Sequence, residues 1–228
     1  MYRRALELRP QFDAAELALG GLLRRRGRLP EAIEVLSRAA EAGSNDERAR
    51  ALVALGRAQL SAKLRDDATT SLRRAIEFAP AAVEIRVGVA RAWLATGKAE
   101  DASHAIELLR RASELAPDVA AVFSALGRGL EKTDDVSGAE AAYQRALRLD
   151  PDYRYARRRL LRLALDRQDF PQARAAADDL LTRDPTDPEH HFLAGLVAAR
   201  DERPDDARRY YRAAIERAGG TYPEAYFN

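Results

Sequence analysis

The stretch Ala120–Tyr153, AAVFSALGRGLEKTDDVSGAEAAYQRALRLDPDY, contains two amphipathic segments of helical period. In each segment, apolar and small side chains recur at spacings of three and four residues, and a short polar break separates the two. These side chains belong to Phe123, Leu126, Gly127 and Leu130 in the first segment and to Ala139, Tyr143 and Ala146 in the second. The stretch therefore predicts a helical hairpin that Pro151 closes.

The same pattern recurs along nearly the whole chain. Its closing positions are Pro10, Ser44, Pro80, Pro117, Pro151, Pro185 and Gly219, separated by 34, 36, 37, 34, 34 and 34 residues. A period of this length is typical of stacked helical units that cannot bury their apolar faces alone. We therefore predict one continuous array over residues 1–228. Its parts are a partial repeat at 2–12, repeats at 13–46, 49–82, 83–119, 120–153, 154–187 and 188–221, and the start of a further repeat at 222–228.

The composition of the 228-residue chain favours an all-α protein. Hydrophobic residues make up 46% of the sequence and charged residues 32%, and no apolar run is long enough to span a membrane. Ala, Leu, Arg and Glu dominate, whereas the strand-forming residues Val, Ile and Thr are sparse. The absence of cysteine excludes disulfides, zinc–thiolate sites and thiol nucleophiles. A net charge of only +2 argues against a globally basic nucleic-acid-binding protein.

Both ends of the chain match only part of a repeat. Residues 2–12 correspond to the second helix of a unit, and residues 222–228 correspond to the beginning of a first helix. We therefore expect the natural protein to continue beyond both ends. The sequence leaves the compartment open, because no signal-peptide core follows Met1 and the absence of cysteine is compatible with either redox environment. The cytoplasm is slightly favoured, and the periplasm is the alternative.

Small residues at two recurring positions give the chain a resemblance to the tetratricopeptide repeat. They are Gly20, Gly56, Gly127 and Gly195 in the first helices and Ala32, Ala68, Ala105, Ala139, Ala173 and Ala207 in the second. Small side chains at these positions let helices approach closely, while large residues fill the remaining space. The resemblance covers essentially the whole chain. It implies a right-handed α-solenoid of helix-turn-helix repeats, with the first helices lining a concave groove that binds partners.

Arginine recurs at one position of the first helices that the resemblance places in this groove. The ninth position of the six repeats holds Gly21, Arg57, Arg91, Arg128, Arg162 and Leu196. Arg24 extends this row at one end, and Arg158 widens it in the fifth repeat. Guanidinium groups bind carboxylates and phosphates, bidentately where the geometry allows. We therefore predict a protein or peptide partner that is acidic or phosphorylated.

The prediction for the arginines has a structural alternative. Arginine on one helix can instead pair with Asp or Glu of a neighbouring helix, which would leave the row without a partner-binding role.

Tyr155 and Phe192 are candidates to anchor an apolar side chain of the partner in the C-terminal half. The alternative for these two residues is that they belong to partly covered helix surface.

The fifth repeat departs most from the pattern. Arg157 stands where a large apolar residue is usual, and Leu161 stands where a small one is usual. Ala177 reverses the large-then-small order of the second helix. A volume-conserving exchange across one helix interface would explain Leu161 and Ala177 together.

No catalytic, metal or cofactor site is predicted. His190 and His191 are adjacent and therefore point apart on a helix, which is not the spacing of metal ligands. Paired carboxylates such as Asp66 and Asp67 stand near helix N-termini, where the helix dipole stabilises them. The sequence offers no small-molecule substrate site, and its short arginine runs lack the interleaved aromatic residues of a nucleic-acid-binding groove.

Three functions are consistent with the sequence. The first is a non-catalytic scaffold that binds a segment of another protein in its groove. The second is the regulatory or substrate-docking arm of a larger enzyme. The third, from the resemblance, is a bacterial envelope assembly factor for pili, secretion or polysaccharide export.

Overall fold

The computed structural model describes residues 13–220, which form twelve α-helices and no β-strand. The helices are α1 (Asp13–Arg25), α2 (Leu29–Glu41), α3 (Asn45–Ser61), α4 (Arg65–Phe78), α5 (Val83–Leu94), α6 (Ala99–Leu115), α7 (Ala120–Lys132), α8 (Val136–Leu149), α9 (Arg154–Asp166), α10 (Phe170–Arg183), α11 (Pro188–Arg200) and α12 (Pro204–Arg217). The predicted all-α fold of paired helices is thereby confirmed. The predicted partial repeat at 2–12 and the start of a further repeat at 222–228 lie outside the described residues.

A residue with positive φ stands in the turn inside each helix pair. These residues are Gly27, Lys63, Gly97, Asp134, Gln168 and Glu202. The left-handed conformation stops the first helix and turns the chain toward the second. Glycine adopts it at low cost at Gly27 (φ 74°) and Gly97 (φ 76°), whereas the other four turns use larger residues.

The helix α3 begins earlier than the predicted repeat boundary at residue 49. Ser44 caps its N-terminus, because the Ser44 hydroxyl accepts a hydrogen bond from the Glu47 amide while the Glu47 carboxylate accepts one from the Ser44 amide. The interval from Ser44 to Pro80 is two residues longer than the common 34, and the repeats leave out residues 47–48. These two residues lengthen α3 to 17 residues instead of extending the loop.

The chain divides into two compact units, Met1–Asp135 and Val136–Asn228, which are described separately. In the first unit each helix from α1 to α7 packs on the next. The first helices of its repeats, α1, α3, α5 and α7, also pack on one another in series. One apolar core runs through this unit from Leu19 to Ala125 and includes Trp93, which is only 8% exposed.

In the second unit the helices α8 to α12 pack in sequence. Leu161 of α9 and Ala177 of α10 are buried in one apolar cluster together with Leu193 of α11. A second cluster joins Phe192 to Ala207, Tyr211 and other residues of α11 and α12.

The small residues of the first helices lie directly against large side chains of the second helices. A Cβ atom added to Gly56 would lie 2.7 Å from Leu72 Cγ, and one added to Gly195 would lie 2.5 Å from Tyr211 Cδ1. Both distances are too short for carbon atoms in contact, which explains why these positions hold glycine. The prediction that small residues let the two helices of a pair approach closely is therefore confirmed at these two helix pairs.

Polar side chains at the fourth position of three first helices bind the closing proline of the preceding repeat. Each donates a hydrogen bond to the proline carbonyl six residues earlier. The pairs are Arg86 with Pro80, Arg157 with Pro151 and His191 with Pro185. This contact explains the unexpected Arg157, whose Nε also lies 2.6 Å from an Asp179 carboxylate oxygen although the residue is only 8% exposed.

Candidate partner-binding surface

Four of the predicted groove arginines belong to the first unit. Arg24 lies on α1, Arg57 on α3, Arg91 on α5 and Arg128 on α7. Because these four helices pack in series, similar register positions bring the side chains to one side of the helix layer. Arg57 and Arg91 are exposed, and Arg24 and Arg128 are partly exposed, so all four reach solvent.

The pKa of Arg57 is lowered by burial and by the cations around it. Partial burial of its guanidinium is the largest cause that lowers the pKa from the ordinary value of arginine, since burial disfavours the charged form. The positive charges of Arg24, Arg91 and Arg128 lower the pKa further. The side chain of Arg57 therefore stands within the electrostatic field of three other cations. The surface that these four arginines form has a concentrated positive potential.

None of these four guanidinium groups forms an ion pair with any residue between 13 and 220. Arginines on the second helices of the same unit behave differently. Arg74 of α4 lies 3.8 Å from Glu41, and Arg111 of α6 lies 2.7 Å from Glu107. The arginine row of the first unit is therefore left with its charge uncompensated by the described chain.

The candidate arginines of the second unit are paired internally. Arg158 forms an ion pair with Glu189 of α11 and lies 3.8 Å from Asp187, and Arg162 lies 4.0 Å from Glu189. Arg154 pairs with the same Asp187 and with Asp184. The predicted arginines thus have two chemical states: Arg24, Arg57, Arg91 and Arg128 form no ion pair within residues 13–220, whereas Arg158 and Arg162 are paired.

The two aromatic candidates lie in different surroundings. Tyr155 is 42% exposed, and its ring packs edge-on against Tyr143 with centroids 6.2 Å apart. Phe192 is only 9% exposed and packs against the ring of Tyr211 at 5.9 Å. Phe192 therefore offers a partner little exposed surface, because its side chain helps to fill the interface between α11 and α12.

A pocket of about 520 Å³ opens beside Arg57, between the C-terminal ends of α3 and α5 and the turns that follow them. Its apolar lining comes from Leu60, Ala92 and Ala95. Its polar lining comes from Arg24, Arg57, Ser61, Lys63, Arg65, Thr96 and Lys98. The pocket therefore combines an apolar floor with five cationic side chains.

A buried carboxylate fixes one wall of this pocket. Asp101, in the first turn of α6, is fully buried and accepts hydrogen bonds from both terminal nitrogens of Arg65 and from the Thr96 hydroxyl. Burial raises the pKa of Asp101, but the hydrogen bonds from Arg65 and Thr96 outweigh it, so the pKa lies below the ordinary value. The positive charge of Arg65 is consequently compensated by the carboxylate of Asp101. Lys63 and Lys98, in contrast, form no ion pair within residues 13–220.

Sequence reasoning did not identify Lys63, Lys98 and Leu60 as candidates. Of 38 basic residues only three are lysines, and Lys63 and Lys98 both stand in turns between the two helices of a repeat. Turn residues carry no helical periodicity, so register alone does not show that they line the same pocket. The recurrence of lysine at this place in successive repeats was the signal available in the sequence.

His190 and His191 make structural contacts. His190 is 2% exposed, with its Nδ1 3.1 Å from the Asp184 carbonyl oxygen, while His191 binds the Pro185 carbonyl. Among residues 13–220, no group of three or more metal-ligating side chains comes together. Within the same range, no helix has both the length and the apolar character needed to cross a bilayer.

Comparison with known proteins gives the fold its context. The chain is 27% identical over 180 residues to the cellulose synthase operon protein C of Pseudomonas fluorescens (strain SBW25), a match that covers 77% of this chain and 14% of that protein. The chain thus spans about one seventh of the length of the curated relative it matches.

Solved structures with similar folds include a type IV pilus biogenesis factor and a Pseudomonas aeruginosa protein. The type IV pilus biogenesis factor PilW superposes with a TM-score of 0.72 at 17% identity, over 94% of this chain and 97% of that one. The Pseudomonas aeruginosa pilF protein superposes with a TM-score of 0.65 at 20% identity, over 94% and 95% of the two chains. At these identities the similarity concerns the fold.

Models of the tetratricopeptide repeat match most of the chain. One model matches residues 98–154 and 158–223, and another matches residues 1–56. Together with the six helix pairs of residues 13–220, these matches show that the chain belongs to the tetratricopeptide repeat family, whose members are protein-interaction modules.

Proposed function

We propose that this protein is a non-catalytic scaffold that binds an acidic segment of a partner protein. The binding surface is formed by Arg24, Arg57, Arg91 and Arg128 of the first unit. The observation that supports the proposal is that the charges of Arg24, Arg91 and Arg128 all act on Arg57, while none of the four forms an ion pair within residues 13–220. Carboxylates or phosphates of a bound segment would neutralise them.

The candidate arginines of the second unit are already paired within that unit. Arg158 and Arg162 already share the carboxylate of Glu189, so an incoming anion would have to compete with that ion pair. The first unit is therefore the part of the chain to which we assign acidic-partner binding.

The proposal is tested by fluorescence anisotropy with a labelled peptide of alternating Glu and Asp and a matched peptide of Gln and Asn. We expect the acidic peptide alone to bind, with an affinity that falls as NaCl is raised from low to physiological concentration, because salt screens exposed charges. The variant R57Q/R91Q/R128Q is expected to weaken this binding about tenfold or more, since each lost charge-assisted contact adds to the loss.

A matched control removes the same charge from another surface of the same unit. The variant R73Q/R110Q/R111Q alters exposed arginines of the second helices α4 and α6. It is expected to bind the acidic peptide with nearly the parental affinity. Equal losses in the two triple variants would mean that net charge, and not the arginine row, governs binding, and the proposal would be abandoned.

A second candidate function follows from the curated relative. The match to a cellulose synthase operon protein favours a role in assembling or exporting a bacterial surface polysaccharide, in which the acidic partner would be another component of that machinery. Its test is to replace Arg57, Arg91 and Arg128 with Gln in the full protein of a cellulose-producing bacterium and to measure secreted cellulose. Unchanged secretion alongside lost peptide binding would remove this candidate and leave the first.

A further inference from the structure

We infer that the pocket beside Arg57 receives one bulky apolar side chain of the partner segment, while flanking carboxylates of that segment bind the cations at the pocket rim. The inference rests on the proposed function and specifies its partner: an acidic segment interrupted by a Leu-like or aromatic residue.

The lining of the pocket has the two chemistries that such a segment requires. Leu60, Ala92 and Ala95 form an apolar floor that a hydrocarbon side chain would remove from water. Arg24, Arg57, Lys63 and Lys98 surround it with positive charge. A volume of about 520 Å³ lies within the range of ligand sites, which are mostly apolar with a few polar groups that fix orientation.

The buried Asp101 determines which of the lining cations are available. It holds both terminal nitrogens of Arg65, with one hydrogen bond of 2.8 Å, and it also accepts from Thr96. Arg65 and Thr96 are thereby fixed as parts of the wall. Arg24, Arg57, Lys63 and Lys98 form no ion pair within residues 13–220, although the charge of Lys98 also acts on Asp101, and they remain for the ligand.

An extended peptide fits these features better than a small anion does. A free phosphate or carboxylate would occupy the rim and leave the apolar floor exposed to water. Arg91 and Arg128 continue from Arg57 along α5 and α7, so positive charge extends beyond the pocket in the direction in which the helices stack. A chain that places an apolar side chain in the pocket can place carboxylates on both the rim and this row.

Two labelled peptides of identical charge test the inference without changing the protein. Both consist of Glu and Asp, one with a central Leu and the other with a central Ser. We expect the Leu peptide to bind about tenfold tighter, because burial of a Leu side chain is worth at least this factor. Equal affinities would overturn the inference while leaving the proposed function intact. Failure of both peptides to bind would overturn the proposed function itself.

A pocket-filling substitution gives an independent test. Ala95 is exposed at the end of α5 and lines the pocket, so A95F is expected to occupy the space without removing a cation. This variant should bind the Leu peptide only as tightly as the Ser peptide. The control A81F, at an exposed turn outside the pocket lining, should retain the tenfold preference. Loss of the preference in A81F, or its retention in A95F, would contradict the assignment of the pocket.

Discussion

Arg65, the first residue of α4, donates hydrogen bonds from both terminal nitrogens to the carboxylate of Asp101 in the first turn of α6. The carboxylate is fully buried, whereas the Arg65 side chain is 35% exposed. The bond therefore connects the second helices of successive repeats. The guanidinium of Arg65 also lies over the ring of Trp93, with its carbon atom 5.5 Å from the ring centroid.

Replacement of Asp101 with Asn is expected to destabilise the protein by about 2 kcal/mol at neutral pH, since hydrogen bonds to charged groups contribute about 1.5–3 kcal/mol. The folded-state pKa of Asp101 lies below its unfolded value, so its stabilisation is fully present above about pH 4 and is lost as pH falls through the folded pKa. The urea midpoint, followed by circular dichroism at pH 7 and at pH 3, measures this difference.

The matched control for Asp101 is Glu100→Gln. Glu100 is exposed and lies 4.0 Å from Arg65, so its loss is expected to change stability by less than about 0.5 kcal/mol. A difference between the parent and D101N that is as large at pH 3 as at pH 7 would show that the ionised carboxylate is not the stabilising species.

Neighbouring glycines of α1 are expected to respond oppositely to Ala. A Cβ added to Gly20 would lie 2.4 Å from Leu36 Cγ, whereas the nearest side-chain atom to one added to Gly21 is 3.8 Å away. We expect G20A to cost about 1–3 kcal/mol through overpacking. We expect G21A to stabilise by up to about 1 kcal/mol, because Ala favours helix over Gly. Thermal midpoints of the two variants test this, and a stabilising G20A would contradict the close approach.

The exchange of large and small residues in the fifth repeat predicts compensation. Leu161 is fully buried and Ala177 is 3% exposed in the same cluster, on helices that pack together. L161A is expected to destabilise by about 2–5 kcal/mol and A177L by about 1–3 kcal/mol. The double variant should lose less stability than the sum of the losses in the two single variants. The difference, measured in a double-mutant cycle, is expected to be about 1 kcal/mol or more. Strict additivity would mean that the two sites are independent.

Replacement of Arg157 with Met is expected to destabilise the second unit by about 1–3 kcal/mol, because it leaves the Pro151 carbonyl without its hydrogen-bond donor and removes one of the two arginines that pair with Asp179. The control R212M alters an exposed arginine of α12 outside this contact and is expected to leave stability nearly unchanged. Hydrogen exchange at the start of α9 and at Asp179 measures the effect locally, and equal protection in parent and R157M would argue against a structural role for the buried guanidinium.

The helical period and the closing prolines were sufficient to predict the helix pairs of residues 13–220. Two residues show what helical periodicity does not determine. Phe192 occupies a register position that the family places in the groove, but the adjacent Tyr211 gives it an apolar partner, and the ring is buried against it. Arg157 breaks the apolar pattern, and only the position of the Pro151 carbonyl explains why arginine is accommodated there.

The sequence by itself determined the fold class, the repeat register and the recurrence of arginine, because these depend on local periodicity and on side-chain size within one helix pair. The tertiary structure decided which arginines remain unpaired. Ion pairing depends on the distances between residues of different helices, such as Arg162 and Glu189, so Arg162 differs in chemistry from the arginines that share its register in the first unit. The pocket beside Arg57 likewise depends on turns that helical periodicity does not describe, where Lys63 and Lys98 approach the ends of α3 and α5.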